Sequence, residues 1–292
     1  YVADITTPQN RARGMGLIGA AFGLGFIFGP VIGGLLAGAD PVHADFRSPA
    51  LAAFALSAVA FVLCLTILKE SLPVEARAQG GSTSSSRWQW LSEALREPGV
   101  RLIIIMSFLA TFVFAGMETT FAMWSRRQFG WGPEQNGYLF AYVGLLTALI
   151  QGGLVGRLAR RFGEQRMVAV GAFLLAAGML MLPFSGSLTL LLVAMAAVAA
   201  GFSMVTPSLN SLLSLQVAAG SQGGMMGVGR SATTLARIVG PGFAGGLFHV
   251  LGKDWPFYAG AAIMIAVMVL AARPSVANPV QAADPAAAEV DP

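Results

Sequence analysis

Three charged residues stand inside long apolar stretches of this 292-residue sequence: Glu118, Arg230 and Arg237. A charge inside a membrane span is costly unless it has a partner, so each of the three is a candidate functional group. Glu118 is the only carboxylate within the predicted spans, and a cavity that takes up and releases protons needs an ionisable carboxylate. Alternatively, Glu118 anchors the outer interface or pairs structurally with an arginine. A structural pair is also the alternative to a functional role for Arg237.

Two uncharged polar residues, Gln151 and Asn210, also lie within apolar stretches. Each could form a hydrogen bond with a transported molecule, or equally with a neighbouring helix. The sequence offers no phosphate-binding loop, no catalytic serine–histidine set and no metal-ligand spacing, since His43 and His249 lie far apart. We therefore predict no enzyme activity, cofactor or metal site. Any process that requires energy is expected to use an ion gradient and not ATP.

The composition is that of a membrane protein. Hydrophobic residues make up 55% of the chain and charged residues only 11%, against about 25% charged in soluble proteins. A membrane helix needs roughly 20 apolar residues. The sequence predicts eight such spans and an all-α polytopic fold, the spans covering residues 14–38, 49–69, 100–124, 136–156, 167–185, 188–213, 224–249 and 256–272.

The first span is rich in glycine at helical spacing. Gly25, Gly29 and Gly33 are four residues apart, and Gly34 begins a second row beside them. Residues four apart share a helix face, so this pattern predicts a side that another helix can approach closely. Pro30 lacks a backbone N–H and predicts a kink.

Residues 25–34 form the string Gly-x-x-x-Gly-Pro-x-x-Gly-Gly, and Asp4-Ile-Thr and Arg11-Ala-Arg13-Gly precede it. This combination resembles the fifth helix, and the loop before it, of drug/proton antiporters. These belong to the major facilitator superfamily and include the tetracycline efflux proteins. In that family the string is called the antiporter motif, and the resemblance assigns Gly25, Gly29, Pro30, Gly33 and Gly34 to it. Residues 225–246 echo residues 15–34 at an offset of 211, as two parallel six-helix halves would.

The family layout implies the domain boundaries. Residues 1–69 would be the remainder of the N-terminal bundle, with the end of helix four and helices five and six. Residues 70–99 would be a cytoplasmic linker with a short interfacial amphipathic helix, and residues 100–272 the C-terminal six-helix bundle. Residues 273–292 are expected to be a disordered tail. Because Tyr1 is not an initiator methionine, we expect the natural start to be missing.

The segment from Gly156 to Arg166 resembles the family's cytoplasmic motif between helices eight and nine. The resemblance implies a gating role for Gly156, Arg160, Arg161 and Gly163, whereas the alternative of equal weight is a basic loop that only sets topology. Twelve of the 18 basic residues fall on the linker side of the spans and four on the other. This asymmetry predicts a cytoplasmic linker and C-terminus, and basic residues placed in short loops do not indicate nucleic-acid binding.

Together these features predict a secondary active transporter that exports small amphipathic molecules, drug-like or tetracycline-like, in exchange for protons by alternating access. Its partners would be a small-molecule substrate, protons and the lipid bilayer, and its expected location is the bacterial inner membrane. The alternatives are an importer or symporter of a small metabolite on the same fold, and a truncated protein that does not transport. The sequence does not name the substrate or the oligomeric state.

Overall fold

The computed structural model describes residues 8–67, 87–217 and 222–273, and in these ranges all regular structure is helical. The α-helices are α1 (Pro8–Ala37), α2 (Arg47–Ile67), α3 (Arg87–Arg96), α4 (Pro98–Phe129), α5 (Pro133–Leu149), α6 (Val155–Phe162), α7 (Glu164–Met181), α8 (Leu188–Leu215), α9 (Gln222–Val250) and α10 (Trp255–Ala271). A π-helical turn, Ile150–Leu154, joins α5 to α6, and a 3-10 turn, Leu182–Phe184, follows α7.

The predicted all-α polytopic fold is confirmed, because each predicted span overlaps one helical segment. Among the described residues, five segments are long and apolar enough to cross a membrane: Arg47–Ile67, Pro98–Phe129, Pro133–Phe162, Glu164–Phe184 and Leu188–Leu215. Gly23–Ala37 and Trp255–Ala271 are shorter apolar segments. The remaining predicted span lies in α9, which carries both arginines noted above.

The chain forms two compact units, residues 1–84 with 122–148, and residues 85–121 with 149–292. The first unit holds α1, α2 and most of α5, and the second holds α3 and α6 to α10. The domain boundaries predicted from sequence stay a prediction. Most of the predicted linker and almost all of the predicted tail fall outside the described residues.

In the first unit, α1 ends at Gly38, whose φ of 87° suits a residue without a side chain. The loop that follows carries two carboxylates engaged in local hydrogen bonds. Asp45 accepts the Ser48 hydroxyl and the backbone N–H groups of Ser48 and Arg47, and these bonds lower the pKa of Asp45. The backbone N–H of Val42, 2.7 Å from the carboxylate, and then His43 lower the pKa of Asp40 in the same way. The carboxylate of Asp45 thus caps the start of α2.

In the second unit, α7 and α8 cross at two glycines. A Cβ on Gly201 would lie 2.5 Å from both the carbonyl oxygen of Gly171 and the backbone nitrogen of Leu175. A Cβ on Gly171 would lie 2.8 Å from the carbonyl oxygen of Gly201. Neither helix can accept a side chain here, and this close approach of small residues is how membrane helices gain packing energy.

Gly201→Leu is expected to lower the melting temperature of the detergent-solubilised protein by about 6 to 12 °C. The added side chain would meet backbone atoms, which cannot rotate away, at a cost of about 3 kcal/mol. Gly245→Leu is the matched control, because no heavy atom of the described residues lies within 4 Å of a Cβ at Gly245. Equal melting temperatures for the two variants would show that the α7–α8 crossing does not depend on Gly201.

The short helix α3 packs on the start of α9. The ring of Trp90 lies where a Cβ on Gly224 would be, and Ala94 is buried. Leu91 and Leu95 remain exposed. The predicted short helix is therefore present, and its location at a membrane interface stays a prediction.

Candidate transport site

Glu118 and Arg237 lie on helices that pack together in the second unit. Glu118 is half-buried on α4, and Arg237 is exposed on α9 with its charge close enough to act on the carboxylate. Arg230, two turns earlier on α9, is exposed. Of the three charged residues singled out in the sequence, Glu118 and Arg237 lie close enough for their charges to interact, although they form no ion pair within 4 Å in the described residues.

Two glycines bring these helices together. A Cβ on Gly116 would lie 2.9 Å from the Cβ of Ala244, and a Cβ on Gly240 would lie 2.6 Å from the carbonyl oxygen of Phe112. Gly116 is two residues from Glu118, and Gly240 is one turn from Arg237. The missing side chains therefore let α4 and α9 approach each other closely in the region of Glu118 and Arg237.

An apolar recess lies beside this crossing, between α4, α9 and α10. It is open to the outside, and its cavity volume is about 10 Å³, room for about one water molecule. Its lining contains no charged residue and consists of Phe112, Val113, Gly116, Met117, Gly240, Phe243, Ala244, Pro256, Gly260 and Ile263. Drug-sized ligands occupy pockets of about 300 to 1,000 Å³. The recess in this structure is therefore far too small to hold such a ligand.

Gln151 and Asn210 are not joined to this pair. Both side chains are exposed, and neither forms a hydrogen bond with Glu118 or Arg237 in the described part of the chain. Gln151 lies in the π-helical turn Ile150–Leu154, a kind of distortion that is frequent at functional sites. A binding role for these two residues stays a prediction.

Two buried serines on α8 add polar groups that the sequence reasoning missed. Within the described residues, the hydroxyls of Ser203 and Ser208 have no hydrogen-bond partner. Between them Pro207 lies inside the helix and supplies no N–H to the Ser203 carbonyl. The signal in the sequence was a pair of serines flanking a proline in an apolar span.

The glycine-proline motif of α1 packs against α5 in the first unit. A Cβ on Gly34 would lie 2.8 Å from the carbonyl oxygen of Pro133 and 3.2 Å from the Cα of Gly137. A Cβ on Gly137 would in turn overlap the carbonyl oxygen of Pro30. Two turns further along α5, a Cβ on Gly144 would lie 3.0 Å from the carbonyl oxygen of Phe26.

The close approach therefore uses a different row of the motif from the one expected. At Gly25, Gly29 and Gly33 no heavy atom of the described residues lies within 4 Å of a Cβ position. The contact row is instead formed by Pro30 and Gly34, which the sequence also assigned to the motif. Its partners Gly137 and Gly144 were missed, although their seven-residue spacing places them on one helix face.

The basic segment predicted as a gating loop is mostly helical. Gly156 lies in α6, Arg160 and Arg161 are exposed in its last turn, and Gly163 separates α6 from α7 with a φ of 81°. The described residues show no ion pair that would identify a closed gate. The gating role stays a prediction.

The helices of the described residues define an all-α polytopic membrane protein, and Glu118 and Arg237 lie near each other on two of them. The chain belongs to the Major Facilitator Superfamily, whose sequence profile matches residues 1–219 and again residues 145–290. Members of this family are transporters and not enzymes.

Similar proteins support this assignment. The chain is 34% identical over 270 residues to Multidrug resistance protein 2 of Bacillus subtilis, covering 91% of this chain and 65% of that protein. It is 31% identical over 259 residues to the class C Tetracycline resistance protein of Escherichia coli, covering 87% and 63%. Among solved structures, the human organic anion transporter MFSD10 (TETRAN) has a TM-score of 0.66 at 28% identity, covering 92% and 66%. The chain thus spans just under two thirds of the length of these relatives.

Proposed function

We propose that this chain serves the export of small amphipathic molecules in exchange for protons, by alternating access. The observation that carries the proposal is the half-buried Glu118 on α4, with Arg237 of α9 close enough for its charge to act on the carboxylate. Glu118 is the ionisable carboxylate of the predicted spans, and an ionisable residue at such a place is a functional candidate in its own right. The names of the multidrug and tetracycline resistance relatives support export of a drug-like substrate.

In the proposed cycle, Glu118 has two states. When it is ionised, its charge balances Arg237, and when it is protonated, Arg237 loses that partner. A ligand shifts the equilibrium between two conformations only if it binds one of them more tightly than the other. Protonation of Glu118 would do so here, because it removes the charge that balances Arg237.

A gradient assay in everted membrane vesicles tests the proposal. Respiration acidifies the vesicle interior, a pH-sensitive dye reports the gradient, and tetracycline or a lipophilic cationic dye is then added. Proton-coupled export predicts partial loss of the gradient on each addition, together with substrate accumulation inside the vesicles.

Each alternative gives a different result in the same assay. A symporter would expel preloaded substrate from the everted vesicles along with protons. A protein that does not transport would leave both the gradient and the substrate level unchanged. Vesicles that contain an equal amount of Glu118→Gln protein serve as the control for leak caused by expression alone.

A further inference from the structure

The second unit carries a cluster of five exposed arginines at one end, which we name the arginine patch: Arg157, Arg160, Arg161, Arg166 and Arg273. The first three lie on α6, the fourth lies in the first turn of α7, and the last follows α10. The side-chain amide of Gln165 donates hydrogen bonds to the carbonyl oxygens of Ala271 (2.7 Å) and Arg273 (3.1 Å). These bonds fix the start of α7 to the end of α10 and so hold the patch together.

The positive charge of the patch is not balanced within the described chain. None of its five arginines has a carboxylate within 4 Å among the residues that the structure describes. Glu164, the carboxylate nearest in sequence, accepts a hydrogen bond from the Ser211 hydroxyl at 3.2 Å. Five guanidinium groups at one end of the unit therefore attract an external anion.

The position of the patch favours an anion at a membrane surface. The apolar span Pro133–Phe162 ends within it, and the span Glu164–Phe184 begins there. One side of α6 is apolar, since Val155 is buried in a cluster to which Leu158 and Ala159 also belong. Leu154 and Phe162, at either end of α6, are about half exposed. An amphipathic helix with apolar ends and a basic outer face is typical of segments that lie in the headgroup layer.

We propose that the arginine patch binds the headgroup of an anionic phospholipid. Guanidinium groups bind phosphate oxygens through two parallel hydrogen bonds, and clusters of four to eight basic residues beside membrane spans are typical of anionic-lipid sites. The exposed Leu154 and Phe162 would contact the upper acyl chains. This binding does not depend on transport.

Lipid binding to the purified protein tests the proposal. Native mass spectrometry measures the dissociation constants of phosphatidylglycerol and of phosphatidylcholine with the same acyl chains. The test variant replaces Arg157, Arg160 and Arg161 with glutamine. The matched control removes the same charge at exposed positions elsewhere, by replacing Arg47, Arg126 and Arg127 with glutamine.

The wild-type protein and the control variant are expected to prefer phosphatidylglycerol. The test variant is expected to bind it about 100-fold more weakly, because each of the three basic residues near an anionic surface contributes about 1 kcal/mol. Circular dichroism melting of both variants separates lost binding from lost folding. Equal affinity for the two lipids, or equal losses in the two variants, would overturn the proposal.

Two further measurements separate the lipid from other anions. Inorganic phosphate at millimolar concentration should not displace phosphatidylglycerol, and displacement would mean that the patch recognises a free anion instead. The residues after Arg273 contain Asp284, Glu289 and Asp291, which could occupy the patch themselves. If the protein bound lipid only after these three residues were neutralised, the patch would be occupied by the C-terminal residues in the native protein, and the proposal would be wrong.

Discussion

Replacing Glu118 with glutamine is expected to lower proton-driven transport by roughly 100-fold, the low end of what a positioned proton-transfer group contributes. Glutamine keeps the size and hydrogen-bonding capacity of the side chain but cannot take up and release a proton. The variant therefore stays in the uncharged state, in which no carboxylate charge acts on Arg237. Gradient loss in everted vesicles measures the effect, at matched protein levels. Transport within about twofold of wild type would rule out Glu118 as the proton carrier.

Two companion variants separate coupling from structure. Glu134→Gln is the matched control, because Glu134 lies in the first turn of α5 and accepts a hydrogen bond from Tyr138 at 3.0 Å. It should transport normally. The second companion combines Glu118→Gln with Arg237→Gln. If Glu118 only neutralised the arginine, the double variant would recover transport, since a charge inside a membrane span is costly when it loses its partner. We expect no recovery.

Replacing Gly34 with leucine is expected to reduce transport at least tenfold and to lower the melting temperature by about 6 °C or more. A side chain at this position would meet the backbone of α5, at the carbonyl oxygen of Pro133 and the Cα of Gly137. Backbone atoms in a helix cannot move away as a flexible side chain can. The close packing of α1 on α5 would therefore be lost in the first unit.

The neighbouring Gly33 provides a stringent control. Gly33→Leu adds the same side chain one residue earlier in the motif, where no heavy atom of the described residues lies within 4 Å of a Cβ. Its melting temperature is expected to stay within about 2 °C of wild type, as for a surface substitution. Equal destabilisation by the two leucines would contradict the assignment of the contact row to Pro30 and Gly34.

The helices were predictable from sequence because apolar length alone defines them. A span such as that in α8 must satisfy its backbone internally in a membrane, which leaves a helix as the only local solution. The charged candidates were predictable for a similar reason, since Glu118 and Arg237 interrupt apolar runs. Their juxtaposition was not predictable. It depends on the crossing of α4 and α9 at Gly116 and Gly240, and glycine spacing shows that a face is flat without showing which helix will pack on it.

The same limit explains the motif of α1. Its glycines form two adjacent rows at the same spacing, and nothing in that spacing favours the row of Gly34 over that of Gly33. The choice between the rows depends on the position of Gly137 of α5, which is determined by tertiary packing. The Trp90 contact with Gly224 has the same origin, because an amphipathic pattern predicts a helix with an apolar face but not the surface that this face covers.

The loop between α1 and α2 has a consequence for tolerance of acid. In the orientation that we propose, this loop faces the outside, from which the protons come. The carboxylates of Asp40 and Asp45 have lowered pKa values, so their stabilising bonds are complete above the ordinary aspartate pKa of about 3.9 and weaken only when the pH falls below it. An external medium acidified to about pH 5 would therefore leave the start of α2 capped. The outer loop would keep its shape at the acidity that energises the exchange.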